Sequence, residues 1–347
     1  MRFACLATAL TVWILSLGAA TAFEIEGERH YPAPEGAVTL RIISTADINV
    51  FEPIILEFQR QNPGVGIDYV IASSTELMRA IYEEQEPFDL AISSAMDLQT
   101  KLANDGFALA YSSFATEALP DWAKWRNQIF AFTQEPAVLV ISEADFAGME
   151  PPKTREELIS LLRENPDRFA GRIGTYDVRI SGAGYLFATQ DSRNSDSYWR
   201  LTEVMGRLHA RLYGGSGDMI RDVASGRLAL AYNVVGSYAM SRLPDYPGIR
   251  IILFEDYVNV MLRTVLVPVN APHPSEAGLM VDSLATLDSR PALTERTSLP
   301  PVKASGLQEN SAARPIRLGP GLLVFLDRLK KQSFLQNWTS SMEQFVR

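Results

Sequence analysis

Apolar and polar positions in the first hundred residues switch repeatedly between two periods. "VTLRIIS", Val38 to Ser44, is strand-like. The stretch "VFEPIILEFQRQNPG" sets Phe51, Ile54, Ile55 and Phe58 on one helical face and stops at Asn62-Pro63-Gly64. "VGIDYVIAS" then predicts a second strand, "STELMRAIYEEQ" a second helix and "FDLAISS" a third strand. Strands separated by single helices imply a parallel sheet with right-handed crossovers. Ligands of such sheets sit beyond the carboxyl ends of the strands. Here those ends carry small hydroxyl residues: Ser44-Thr45, Ser73-Ser74-Thr75 and Ser93-Ser94. Ser and Thr are also preferred helix caps, and Ser73 with Glu76 fits a capping box. A capped helix still leaves N-terminal N–H groups free to bind an anion, so the two roles are compatible.

Later stretches are less periodic and more chemical. "TYDVRISGAGYLFATQD" places Arg179 before Ser181-Gly182-Ala183-Gly184 and an apolar helical segment. One reading has Arg179, Ser181 and the 182–184 backbone hold an anionic group, since arginine offers a planar fork and the helix start offers N–H groups. The other has Arg179 pair with Asp177 or Asp191 while the glycines only turn the chain. Gly214-Gly215-Ser216-Gly217 is either a flexible turn or a donor loop. Asn233, Ser237 and Tyr238 serve either a turn and helix cap or a ligand. Arg263 lies on a predicted strand facing either surface or cleft, and Tyr185 belongs to a core-facing helix side.

Compartment and charge narrow the function classes. "MRFACLATALTVWILSLGAATAFEIEG" has Arg2, an apolar run from Phe3 to Leu17 and the small residues Ala20-Thr21-Ala22, which reads as a signal peptide, 1–22, cleaved before Phe23. The run is shorter than the ~20 residues of a spanning helix. The single cysteine, Cys5, sits inside this leader, so the mature chain has no disulfide, thiol nucleophile or cysteine ligand. A net charge of −9 argues against nucleic-acid binding. His30, His209 and His273 are scattered without metal-ligand spacing. No G-x-S-x-G, H-E-x-x-H, P-loop or complete G-x-G-x-x-G motif is present, so nothing indicates an enzyme.

Residues 42–108, with the phrases Phe58 to Gly64 and Asp89 to Ser94, resemble the first lobe of bacterial extracellular solute-binding proteins of the type II class, which serve ABC transporters. "EPAVLVISEADF", "PPKTREELISLL" and "GRIGTYDVRISGAG" extend the resemblance over most of the mature chain. It implies two α/β lobes joined by a hinge at "TQEPAVLV", with a ligand cleft between them. The first lobe would comprise residues 37–133 and 260–347, the second 134–259. The C-terminal "GPGLLVFLDRLKKQSFLQNWTSSMEQF" then reads as an amphipathic helix packing Leu323, Phe325, Leu326 and Leu329 on the first lobe, after a surface loop.

Ferric-ion binders of this class carry adjacent tyrosines in the loop matching "ASGRLALAYNVVGSYAM"; Val235 and Gly236 stand there, with Tyr232 and Tyr238 flanking. The remaining resemblance is to the branch that binds phosphoglycerate and other organic phosphates and phosphonates. It implies a periplasmic monomer, without cofactor, that captures a small anion for a membrane permease. A sensor histidine kinase is the alternative partner. The expected ligand-binding residues are Ser44, Thr45, Ser74 and Ser94 from the first lobe. From the second they are Arg179, Ser181, Gly182, Ala183, Gly184, Asn233, Ser237 and Tyr238.

Overall fold

Each apolar period in the first hundred residues becomes the element it predicts. The computed structural model describes residues 22–33, 38–303 and 310–344. A strand that the pattern did not announce comes first, β1 (Gly27–Tyr31), followed by β2 (Val38–Ser44), α1 (Ile48–Gln61), β3 (Val65–Ile71), α2 (Ser74–Tyr82), β4 (Leu90–Ser93) and α3 (Met96–Asn104). Phe51, Ile54, Ile55 and Phe58 of α1 are buried against the sheet with Tyr69 and Ile42. Ser73 caps α2, its Oγ accepting from Glu76 N at 3.2 Å. The capping box is not completed, because the Glu76 carboxylate turns away to accept from Glu24 N.

Short β5 (Lys124–Trp125) precedes the long β6 (Ile129–Ser142). Beyond it come β7 (Ile173–Tyr176), α4 (Gly182–Asn194), α5 (Ser197–Arg207), β8 (Arg211–Tyr213), α6 (Ser216–Ala224), β9 (Leu230–Val235), α7 (Gly236–Arg242), β10 (Ile249–Ile252) and β11 (Val258–Leu266). The chain ends in α8 (Pro291–Thr297), β12 (Ala313–Pro315) and α9 (Arg328–Met342).

The main strand order is β1-β3-β2-β4-β11-β6-β9-β7-β8. β3-β2-β4 and β9-β7-β8 are parallel, as helix-linked strands must be. The parallel order ends at β11 and β6, which run antiparallel to each other and to their outer neighbours β4 and β9. β6 serves both halves: its start pairs with β11 and its end, from Ala137, with β9 and β10.

Two expectations for the C-terminal region are corrected. The supposed loop holds α8 and β12, which pairs with β11. The last helix begins only after Asp327, whose side chain caps it, and Leu323, Phe325 and Leu326 lie in the 3-10 turn before it. Its buried stripe is Phe334, Trp338 and Met342, while Leu329 is 68% exposed. That stripe packs on the second half of the sheet's helices, with Phe334 against Tyr185 and Trp199 at ring distances of 5.5 and 5.4 Å. The spacing i, i+4, i+8 is an equally good helical face, and aromatic bulk decided which face is buried. The segment expected to be a signal peptide lies, apart from Ala22, outside the described residues; among those described, no helix is long and apolar enough to cross a membrane.

Gly206 of α5 makes that docking possible. A Cβ there would overlap the Ser341 carbonyl and come within 2.7 Å of the Met342 carbonyl. Gly206→Ala is therefore expected to lower stability by about 1–3 kcal/mol in urea unfolding, despite alanine's better helix propensity; unchanged stability would mean that α9 does not dock there. A second expectation concerns Asp97, buried at the start of α3 and bonded through Leu98 N only to its own helix. Burial pushes its carboxyl up to about 6 from 3.8. The folded state therefore keeps this proton at pH values where the unfolded chain has lost it, and stability falls as pH rises from ~4 to ~6, then levels off. Relative to Asp97→Asn, the native protein should lose about 3 kcal/mol across that window. Parallel unfolding curves at pH 4.5, 6 and 7.5 check this.

Candidate functional site

The strand ends of both halves face one another across a cavity of about 410 Å³. From the first half come Thr45 after β2, Ser73 and Ser74 after β3, and Ser94 after β4. From the second come Ser181 and Ala183 at the start of α4, Gly214 to Gly217 at the start of α6, and Tyr238 and Arg242 of α7. Helices α1, α2, α4 and α6 all begin here, with Asp47, Ser73, Ser181 and Gly215 at their N-cap positions and the Ser73 and Ser181 hydroxyls accepting a helix N–H. Their N–H groups and dipoles sum to a positive potential at the cavity wall. The amides of Ala183, Gly217 and Asp218 have no acceptor among the described residues.

Three hydrogen bonds already span the gap. Gly182 N donates to Ser74 Oγ at 2.9 Å, Thr75 Oγ1 to the Ile180 carbonyl at 3.2 Å, and Asp47 N to the Tyr238 hydroxyl at 3.2 Å. Gly182 is required at its position, since a Cβ would overlap Ser74 Oγ and lie 3.0 Å from Ala95 Cβ.

Charge in the cavity is mixed. Arg221 is engaged by Asp218. Arg242 lines the cavity half-buried, and its guanidinium has no hydrogen-bond or ion-pair partner among the described residues. The Asp47 carboxyl is raised by burial, pulled back by Arg242 and Arg263, and raised further by Asp218. Glu26 is raised by burial and by Asp47, Glu24 and Asp218. Burial pushes the Tyr238 hydroxyl up to about 12, so it is a neutral donor and acceptor. Tyr176 is raised by burial too, and its hydroxyl meets Ser216 Oγ at 2.5 Å.

Of the residues singled out in the sequence, Thr45, Ser74, Ser94, Ser181, Ala183 and Tyr238 line the cavity, and the open question over Gly214 to Gly217 resolves toward it. The rest lie elsewhere for identifiable reasons. Ser44 is fully buried below the wall, its Oγ accepting from Ala46 N at 3.0 Å. Gly184 lies under Tyr176, where a Cβ would overlap the Tyr176 Cβ. Asn233 turns inward and donates to Asp191 Oδ2 at 2.7 Å, and Ser237 donates to Glu135. Arg179 is held outside the cavity by both oxygens of Asp177, at 2.8 and 2.7 Å, and by Glu343 at 2.5 Å. Arg263 is buried behind Tyr238, bidentate on Glu135. Sequence reasoning missed Glu26, Asp47, Asp218 and Arg242, and it named Ser73 only as a strand-end hydroxyl and helix cap. Asp47 had a usable signal, standing two residues beyond the Ser44-Thr45 strand end; Arg242, at the far end of α7, had none.

Comparisons with known proteins bear on the family and the fold. The family described as bacterial extracellular solute-binding protein matches residues 40–296. The substrate binding protein of an ABC transporter from Agrobacterium tumefaciens is 31% identical, with a TM-score of 0.87 over 91% of this chain and 98% of that one. AfuA from Actinobacillus pleuropneumoniae, solved with fructose-6-phosphate, is 14% identical with a TM-score of 0.70 over 88% of this chain and 99% of that one. Iron-bound HitA from Pseudomonas aeruginosa is 18% identical with a TM-score of 0.67 over the same shares, 88% and 99%. The last two establish likeness of fold alone. A comparison with curated proteins found no match. With its helix-ringed cavity between two sheet halves, the chain belongs to the bacterial extracellular solute-binding proteins and has the type II periplasmic binding fold.

Proposed function

We propose that this protein captures a small organic anion bearing a phosphate, phosphonate or carboxylate group and delivers it to the permease of an ABC importer. The observation that carries the reading is the meeting of four helix N-termini with one uncommitted guanidinium, Arg242. Fixed N–H donors and an arginine fork in a partly desolvated cavity suit an oxyanion. Thr45, Ser74 and Ser94 add hydroxyl donors from the opposite wall. The uncommitted carboxylates of Asp47 and Glu26 in the same cavity favour a ligand that also presents hydroxyl or ammonium donors. At the position of the ferric binders' tyrosine pair, Val235 and Gly236 offer no oxygen ligand from their side chains. Family membership supports binding without turnover.

The proposed moving parts are two lobes. The first comprises residues 38–133 with the return from 260; the second comprises 134–259 together with α9. Closure about β6 and β11 would bury the ligand, and the closed surface would be what a permease, or a sensor kinase, reads.

Three outcomes test this. A thermal-shift screen of small anions should find a ligand that, at a hundred times its dissociation constant, adds about 2.7 kcal/mol to the folded state; no stabilisation by any anion would remove the reading. Arg242→Ala should weaken that ligand by about 1.5–3 kcal/mol in isothermal titration, whereas Arg179→Ala should leave affinity unchanged; the reverse pattern would return the anion seat to Arg179. Gly182→Ala should hold the halves apart, with a larger radius of gyration in X-ray scattering and weaker binding.

A further inference from the structure

The first residues after the leader are held more firmly than a chain end needs to be. The Phe23 ring is only 8% exposed and packs edge-on against Phe88 with centroids 5.9 Å apart, in the core that includes Leu77 and Ile81 of α2. Its backbone nitrogen lies 3.2 Å from Glu84 Oε2. Glu24 N then donates to Glu76 Oε2 at 2.8 Å, Glu26 N to the Ile71 carbonyl at 2.8 Å, and β1 pairs along β3 from Gly27 to Tyr31. This segment carries Glu26 into the wall of the cavity.

Glu84 is partly committed, its other oxygen taking Arg79 Nε at 3.0 Å. Nearby, Arg79 is shared between Glu84 and Glu76 and Arg41 pairs with Glu86, so Glu84 has one oxygen left for a second cation at the Phe23 nitrogen. A peptide amide supplies one neutral N–H there. A free α-amino group at neutral pH supplies three donors and a positive charge.

We infer that the α-ammonium freed at Phe23 when the leader is removed forms an ion pair with Glu84, fastening β1 and Glu26 to the first half of the sheet. The step is hydrolysis by an export peptidase. Water adds across the Ala22–Phe23 bond, Ala22 leaves as a carboxylate, and the Phe23 nitrogen is protonated. Ala20 and Ala22 supply the small residues that such cleavage requires. Register matters: a chain beginning at Ala22 would hold its charge a residue away, about 3.8 Å along the backbone, and one beginning at Glu24 would lose the buried ring.

Intact-mass and N-terminal sequencing of the exported full-length chain is expected to give Phe23 as the first residue, and any other start overturns the inference. The energetic part is read by comparing the chain beginning at Phe23 with one carrying two extra residues before it, each with and without Glu84→Gln. At pH 7 the chain beginning at Phe23 should melt on the order of 1–3 °C higher than its extended form. The ammonium's pKa is raised by its partner, so the advantage is present below ~8 and lost as pH rises above it. Glu84→Gln should abolish the advantage at every pH. Equal melting temperatures at pH 7, or an advantage that survives Glu84→Gln or high pH, would overturn the ion pair. Glutamine is isosteric with the partly exposed Glu84 and keeps its packing, so both arms should fold, and far-UV circular dichroism verifies it.

Discussion

A buried ion pair, Arg263 with Glu135, ties together the two strands that pass between the halves of this protein. Nε and Nη2 of Arg263 donate to the two carboxylate oxygens at 2.9 and 3.1 Å, and neither side chain is more than 1% exposed. The Thr133 and Ser237 hydroxyls complete the carboxylate's partners. Such a pair contributes little net stability over an apolar equivalent, because desolvation offsets attraction, yet removing one partner leaves a buried charge at a cost of about 3–5 kcal/mol. Its value is therefore positional. It lies where β11 changes register against β6, between Arg263 and Thr264. Through Ser237 it also fixes the first turn of α7, the helix that brings Tyr238 and Arg242 to the cavity.

A second polar network does the same work deeper in the second half. Asp191 of α4, fully buried, accepts from Tyr232 at 2.9 Å, Asn233 at 2.7 Å and Asn259 at 2.7 Å, with Arg155 at 3.4 Å. It joins α4 to β9 and β11, so the helix whose N-terminus forms one cavity wall cannot rotate independently of the crossing strand. Asn233 is spent on this frame, in a left-handed backbone conformation that asparagine tolerates. The cavity wall is thus assembled from helix starts, and the groups behind it serve to aim those starts.

The contacts that bridge the cavity are few and small by comparison. Hydrogen bonds such as Gly182 to Ser74 each contribute about 1 kcal/mol net. Helices α2 and α3 also pack on α4, and a ligand that touches both walls shifts the balance between open and closed arrangements by its differential affinity for the two.

The sequence by itself determined the elements and their chemistry at the strand ends. Local periodicity placed β2, α1, β3, α2 and β4, because burying one face of a strand or helix is a requirement that each segment meets on its own. It also pointed to Thr45, Ser74 and Ser94 just past strand ends and to Ser181 at a helix start, all of which line the cavity, whereas Ser44, still within its strand, is buried below the wall. The tertiary structure decided everything that depends on a distant partner. Arg179 and Arg242 are both arginines near helix ends; Asp177 and Glu343 hold the first outside, and no described residue claims the second. Ser237 and Asn233 looked like ligand groups until Glu135 and Asp191 took their hydrogen bonds. The C-terminal helix offered two apolar faces, and the gap at Gly206 with the rings of Tyr185 and Trp199 selected the one that docks on the second half. A charge or an aromatic ring is satisfied by whichever group lies within a few ångströms of it, and that proximity is a property of the folded chain.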